Sequence, residues 1–215
     1  MGRRVFLSLF LTVVAACSFP GPVKEKVVHT YLLNPDWTAT APPETIGRGA
    51  QGRGAMAVLL VALPQAQSGF DTERIAYLRR PNEVGYYAAS EWADTPARML
   101  APLLVQALER TDTWQAVVPT PTAVRGDYRV DSDDLALSQE FFEAPSRVRL
   151  TLRAQLVDLQ QLRPVGTKVF EVFEPAPSED AYGGVLAANR AVARLLGELS
   201  DWIARCKEAR PSDPC

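Results

Sequence analysis

The stretch Arg147-Val148-Arg149-Leu150-Thr151-Leu152-Arg153-Ala154-Gln155-Leu156 holds the clearest secondary-structure signal in the sequence. Its apolar residues alternate strictly with arginine, threonine and glutamine. Because successive side chains of a strand point to opposite faces of a sheet, this period of two places one face on a core and the other toward water. The flanking segments 127–142 and 165–173 are predicted to be its antiparallel neighbours.

The arginines at 147, 149 and 153 fall on the water-facing side of this predicted strand. They indicate a basic stripe. An acidic partner, lipid headgroups or plain solvation of a sheet surface would each explain it.

Shorter strands are predicted elsewhere in the chain. Segment 57–63 is a continuous apolar run stopped by Pro64, which is typical of a strand buried on both faces. Residues 80–82, Arg-Pro-Asn, form a turn signal between two strands. The other predicted strands are 27–33, 75–79, 83–88 and 116–118.

Two helices are predicted. Thr95 is a suitable N-cap with Pro96 at the first helical position, and Ser178 is predicted to open the last helix with Glu179 and Asp180 in its first turn. The apolar stripe of the first helix is Leu100, Leu103, Leu104, Ala107 and Leu108. The apolar stripe of the second is Val185, Ala188, Val192, Leu195, Leu196, Leu199, Trp202, Ile203 and Cys206.

Together these elements predict an α/β (or α+β) fold, with a single mixed sheet packed by two main helices. The chain has 215 residues, of which 47% are hydrophobic and 22% charged, an ordinary composition for one small globular domain.

The N-terminus has the pattern of an export signal. Arg3 and Arg4 precede a short apolar run that ends at Ala15-Ala16-Cys17. The site Val14–Cys17 resembles a lipobox, which implies removal of residues 1–16 and acylation (diacylglyceryl and palmitate-type chains) of Cys17. An ordinary secretory signal with an incidental cysteine is the alternative. The absence of aspartate after Cys17 favours the outer membrane over the inner membrane.

Two further cysteines, Cys206 and Cys215, flank a short polar tail in what would be an oxidising compartment. One interpretation is a disulfide that fastens the tail to the last helix. The other is a buried Cys206 with a free Cys215. The predicted organisation is a signal at 1–16, a tether at 17–26, a domain at 27–206 and a tail at 207–215.

Composition argues against several classes of function. Removing the signal leaves 21 basic and 25 acidic residues, a net charge of −4, which does not favour nucleic acid. The only histidine is His29, and neither a catalytic dyad nor a nucleophile motif accompanies it. Asp131, Asp133 and Asp134 are interpreted as a solvated polar turn. The sequence therefore predicts no enzyme, metal or cofactor.

Aromatic residues gather before the first predicted helix. Tyr77, Tyr86, Tyr87 and Trp92 are candidates for binding a partner, because aromatic side chains are enriched at interfaces. Packing of a hairpin against its helix is the structural alternative.

Several segments, taken in order, resemble the ABC-type transport auxiliary lipoproteins. They are Tyr31-Leu32-Leu33, residues 75–87 (IAYLRRPNEVGYY), Glu91-Trp92-Ala93-Asp94, Pro96-Ala97-Arg98-Met99-Leu100, Ser146-Arg147-Val148-Arg149-Leu150 and Ala187-Ala188-Asn189-Arg190-Ala191.

The resemblance implies a non-enzymatic periplasmic component of an MCE-type transport system for phospholipids or other hydrophobic compounds. Its partners would be an MCE-type periplasmic protein with an inner-membrane permease and ATPase. The resemblance also leaves room for a homo-oligomeric ring. The alternative from a different class is a lipoprotein regulator or scaffold that binds a cell-envelope enzyme.

Overall fold

The computed structural model of the protein describes residues 27–37, 57–208 and 215. Within these residues eight strands and two helices follow one another along the chain. They are β1 (His29–Tyr31), β2 (Val58–Val61), β3 (Arg74–Arg80), β4 (Glu83–Trp92), α1 (Pro96–Glu109), β5 (Ala116–Pro119), β6 (Tyr128–Glu140), β7 (Arg147–Asp158), β8 (Arg163–Pro175) and α2 (Ala181–Glu208).

The three longest strands, β6, β7 and β8, lie side by side, with β8 at an edge of the sheet. β7 pairs antiparallel with β6 on one side and with β8 on the other, which confirms the neighbours predicted from the sequence. The predicted apolar face of β7 is buried along its whole length, because every second residue from Val148 to Leu156 lies in the hydrophobic core.

The other edge of β6 is shared by two shorter strands. β2 runs parallel to the first part of β6, and β3 runs parallel to its last part. The segment between β2 and β3 also runs along β6. There the Gln65 N–H donates to the Ser132 carbonyl, and the Gln67 N–H donates to the Leu135 carbonyl. β5 extends the sheet beside β2. β4 and then β1 extend it beside β3.

Both helices cover the same face of this sheet. α2 packs on β6, β7 and β8, whereas α1 packs on β2, β5 and α2. The Thr95 hydroxyl accepts a hydrogen bond from the Arg98 N–H at the start of α1, as the capping prediction requires. All residues of the two predicted apolar stripes are buried. The fold is therefore α/β, with one mixed sheet and two helices, as predicted.

The start of α2 differs from the prediction. The helix begins at Ala181, so Ser178, Glu179 and Asp180 precede it. Asp180 caps it, because its carboxylate accepts hydrogen bonds from the Gly183 N–H (2.7 Å) and from the Ser178 hydroxyl (2.8 Å). These two bonds stabilise the charged form and lower the pKa of Asp180.

Two strands are shorter than predicted. β1 covers only three of the seven residues between 27 and 33, and β2 covers only four of those between 57 and 63.

The interpretation of Asp131, Asp133 and Asp134 as a polar turn is wrong. All three lie within β6, where an irregularity in the pairing with β7 falls between Asp133 and Ala136. Asp134 has a positive φ of 54° at this irregularity. The bulge interrupts the alternation by which a strand is recognised in sequence.

The arginines of β7 do not form a basic stripe. Each guanidinium is paired with a carboxylate of a neighbouring strand, so the positive charges along β7 are balanced. The pairs are Arg147–Glu140 (3.1 Å), Arg149–Glu171 (2.7 Å) and Arg153–Asp133 (2.7 Å).

Among the residues described, no helix is long and apolar enough to cross a bilayer. The predicted signal at 1–16, Cys17 and the tether at 17–26 lie outside the described residues.

Candidate partner-binding site

The structure separates the four aromatic residues singled out in the sequence. Trp92 packs in the core with 3% of its surface exposed, so its ring is not available to a partner. Tyr86 lies apart from the other tyrosines. Its hydroxyl donates to the Gly69 carbonyl (2.8 Å), and the Arg74 guanidinium lies 4.1 Å from the centre of its ring.

Tyr77 and Tyr87 do come together. Their ring centres are 5.1 Å apart, and the ring of Phe141, just beyond β6, lies 6.1 Å from Tyr77 in an edge-to-face arrangement. These three residues are called the tyrosine cluster below. Tyr77 pairs with Gly85 across the β3–β4 hairpin. A Cβ at Gly85 would lie 2.6 Å from the Tyr77 ring, so only glycine lets the ring lie across the opposite strand.

A chain of hydrogen bonds connects the tyrosine cluster to the segment before α2. The Tyr87 hydroxyl donates to the Gln139 side-chain oxygen (2.9 Å), and the Gln139 amide donates to the Ser146 hydroxyl (2.9 Å). The Ser146 N–H in turn donates to a carboxylate oxygen of Glu179 (2.8 Å). Buried polar groups need such partners, and Gln139 and Ser146 are both fully buried.

Gln139 reaches this position because α2 carries a glycine opposite it. A Cβ at Gly184 would lie 2.3 Å from the Gln139 side-chain oxygen. Sequence reasoning missed Gln139 and Ser146, because a single polar residue in a strand is ordinary. The one signal in the sequence is the Gly183-Gly184 pair, because glycine inside a helix marks a close approach of another group.

The environment of Tyr87 keeps its phenol neutral. Burial is the main cause, and the negative charge of Asp180 adds to it, so that the pKa of Tyr87 rises to about 12. A phenol with so high a pKa is a poor general acid or base near neutral pH. The arrangement is therefore suited to binding through ring surface and hydrogen bonds.

The surface around the tyrosine cluster is aromatic and carries charges of both signs, with Asp180 near Tyr87 and Arg79 near Tyr77. The Arg79 guanidinium lies 5.4 Å from the centre of the Tyr77 ring. Phe142, which follows the cluster residue Phe141, is 41% exposed. Tyrosine and arginine are among the residues that most often dominate binding energy at protein interfaces.

The other residues marked in the sequence lie elsewhere. Cys206 is buried on α2, and its sulfur is bonded to that of Cys215, with the two Cα atoms 5.1 Å apart. His29 is exposed on β1. In the described part of the chain, no group of three or more His, Cys, Asp or Glu side chains is placed to hold a metal ion.

Comparison with known families now identifies the chain. The model of the ABC-type transport auxiliary lipoprotein component matches residues 31–200, which is well over half of the sequence. The protein belongs to this family. The match includes the tyrosine cluster, Gln139, Ser146 and most of α2, so both layers of the fold are part of the auxiliary lipoprotein domain. The family associates the chain with ABC-type transport and with the cell envelope.

Solved structures share the fold of this auxiliary lipoprotein. Protein XCC0632 from Xanthomonas campestris superposes with a TM-score of 0.71 at 22% identity, over 84% of this chain and 97% of that one. The hypothetical protein CT253 from Chlamydia trachomatis gives a TM-score of 0.54 at 8% identity, over 73% of this chain and 100% of that one. At these identities the likeness concerns the fold alone. No curated protein matches the sequence.

Proposed function

We propose that this protein is a periplasmic lipoprotein that docks the MCE-type protein of an ABC transport system for phospholipids or other hydrophobic compounds. The observation that carries the proposal is the family match over residues 31–200. It associates the domain with ABC transport, and the lipobox-like sequence ending at Cys17 supplies the anchor.

The anchor explains how such a domain stays at the membrane. In this proposal residues 1–16 are removed, Cys17 is acylated, and residues 17–26 tether the domain 27–206 and its tail 207–215. A single acyl chain holds a protein only marginally, whereas two or more give stable attachment. Ser18 in the position after the lipidated cysteine favours the periplasmic face of the outer membrane.

The tyrosine cluster and its surroundings are the proposed docking surface. Tyr77 and Tyr87 are half-buried, so each ring is fixed by the fold while part of it still faces solvent. Fixed aromatic rings bind with little loss of conformational entropy. The hydrogen bonds from Tyr87 through Gln139 to Ser146 fix the position of the Tyr87 side chain on the sheet. In this proposal the protein binds a partner and does not catalyse a reaction.

Affinity purification tests this proposal. The lipidated protein is captured from a detergent-solubilised envelope, and copurifying proteins are identified by mass spectrometry. We expect an MCE-type protein with its permease and ATPase. If a strain that encodes such a system yields none of them, the docking role is wrong. Recovery of a peptidoglycan-modifying enzyme instead would support the envelope-regulator alternative.

Matched variants localise the docking surface. Phe142→Asp places a charge beside the tyrosine cluster, and Leu162→Asp does so at the β7–β8 turn, where the side chain is 83% exposed. Both side chains are exposed enough for the fold to tolerate the change. Loss of the MCE-type protein with Phe142→Asp but not with Leu162→Asp is expected. Equal recovery with both variants would place docking elsewhere.

A further inference from the structure

Exposed apolar side chains lie just before and just after β1 and in the first two turns of α2. Its members are Val27 (71% exposed), Val28 (47%), Leu32 (63%), Tyr182 (55%) and Leu186 (37%), which are called the edge patch below. Exposed apolar residues that occur singly are ordinary, but a contiguous group of them marks a contact with something else.

Contacts hold the chain around β1 against the start of α2, so the two parts of the edge patch lie near each other. The Tyr31 ring lies 6.2 Å from the Tyr182 ring. The Asn189 side-chain amide donates to the Leu32 carbonyl (3.5 Å) and its oxygen accepts from the Asn34 N–H (2.5 Å), so the chain around Leu32 is fastened to α2. Tyr182, Leu186 and Asn189 follow one another at helical spacings of four and three, on one side of α2.

The short distance along the chain from Cys17 to the edge patch indicates that the patch lies near the membrane. Val27 is ten residues after Cys17. A chain of ten residues spans at most about 36 Å when fully extended. A domain held by an acylated Cys17 therefore stays within a short distance of the bilayer, and the edge patch is the part of the domain where this tether joins it.

We propose that the edge patch contacts the lipid surface and fixes the orientation of the domain on the membrane. This inference rests on the proposed lipid anchor at Cys17. The chemistry fits the bilayer interface, because valine and leucine bury apolar surface among acyl chains. Tyrosine has an apolar ring and a hydroxyl that remains at headgroup level. None of the five side chains carries a charge, so the surface suits zwitterionic phospholipid.

Hydroxyl-radical footprinting tests the contact. The lipidated protein is bound to phosphatidylcholine vesicles and compared with the lipid-free Cys17→Ser chain in solution. We expect labelling of Leu32 and Tyr182 to fall severalfold on the vesicles. Labelling of Leu162 (83% exposed) and Val169 (65% exposed) serves as the internal control and should not change.

A matched pair of variants separates contact from mere proximity. Leu32→Asp puts a charge in the edge patch, and Leu162→Asp puts one at the β7–β8 turn. On vesicles, Leu32→Asp should return Tyr182 labelling to its value in solution while the protein stays bound through its acyl chains. Leu162→Asp should leave the protection of Tyr182 intact. Thermal melts of both variants check that the fold is retained.

Three results would overturn the proposal, and each differs from the others. Tyr182 equally reactive on vesicles and in solution would mean that the edge patch does not touch lipid, although the anchor holds. Concentration-dependent protection of Tyr182 in the lipid-free chain would assign the surface to a second copy. Lipoprotein that fails to sediment with vesicles would remove the anchor, and with it this inference. Capture of the MCE-type protein is a separate measurement, so a failure there leaves the edge patch unaffected.

Discussion

Tyr87 is the residue whose ionisation reports most directly on the tyrosine cluster. Burial and the nearby Asp180 disfavour its phenolate, which raises its pKa from 10.0 to about 12. In the unfolded chain the phenol loses its proton near pH 10, whereas in the folded protein it keeps it. The unfolded state then binds fewer protons, so the free energy of unfolding falls as pH rises from 10 toward 12.

We expect one tyrosine of the native protein to titrate near pH 12 and to be lost in Tyr87→Phe, whereas Tyr128, whose pKa is also raised by burial, titrates in both proteins. Ultraviolet absorbance of the phenolate measures it. The same variant should flatten the loss of stability above pH 10 in denaturant melts. A wild-type curve in which every tyrosine ionises near pH 10 would contradict the buried hydrogen-bonded phenol.

Gly184 is the second residue with a specific role, because the Gln139 side chain occupies the place of its missing Cβ. Gly184→Ala should destabilise the protein by about 1–3 kcal/mol, the usual cost of crowding a packed site. Gly197→Ala in the same helix is the control. Gly197 lines an open groove between α1 and α2, so alanine should add up to about 1 kcal/mol of helix stability there. Urea unfolding of both variants measures the difference, and equal effects would exclude the close approach.

The polar chain around the tyrosine cluster could not be predicted from the sequence. Gln139, Ser146 and Glu179 are common polar residues separated along the chain, and only the pairing of β6 with β7 and the path into α2 bring them together. The Gly183-Gly184 pair can be recognised in the sequence, but the sequence does not show that Gln139 is the residue that packs against Gly184.

At the scale of the elements, the two helices are held by apolar stripes on one face of the sheet. Leu104 and Leu199 are both fully buried. Leu104→Ala and Leu199→Ala should each lower the free energy of unfolding by about 2–5 kcal/mol, the cost of a cavity in a packed core. Leu186→Ala, at a position 37% exposed on α2, should cost clearly less. Chemical denaturation distinguishes them, and losses below about 0.5 kcal/mol for the buried pair would contradict this packing.

The end of α2 is fastened to the tail by the bond between Cys206 and Cys215, which are nine positions apart. A loop this short, once closed, adds about 2–3 kcal/mol in the chain-entropy description of disulfides. Thiol labelling of the unreduced, unfolded protein is expected to modify neither cysteine, and reduction should lower the melting temperature. Modification of both cysteines without a reductant would mean that the tail is free.

Elements with an unbroken period were predictable, and those with an interruption were not. The strict alternation of β7 and the helical spacing of the two apolar stripes predicted these elements correctly, because each pattern follows from the burial of one face. β6 was recognised as a strand, but its three aspartates were assigned to a turn because the bulge at Asp134 breaks the alternation. The arginines of β7 were visible, whereas their carboxylate partners lie on other strands.

At the scale of the whole molecule, two candidate surfaces meet near the start of α2. The charge of Asp180, which caps the helix, acts on Tyr87 of the tyrosine cluster, and Tyr182 of the edge patch lies in the following turn. In the proposed arrangement the edge patch rests on lipid while the tyrosine cluster beside it receives the partner. The fold and the family were predictable from sequence order. The separation of Tyr86 and the buried Trp92 from the tyrosine cluster required the structure.

Photocrosslinking in living cells shows whether the tyrosine cluster is where the proposed docking of an MCE-type transport protein takes place. Tyr77 is replaced by a photoreactive phenylalanine analogue, and Leu162, at the β7–β8 turn, receives the same analogue as a control. We expect position 77 to crosslink to an MCE-type protein and position 162 not to do so. Crosslinking from position 77 to a cell-wall enzyme alone, or equal crosslinking to the MCE-type protein from both positions, would contradict it.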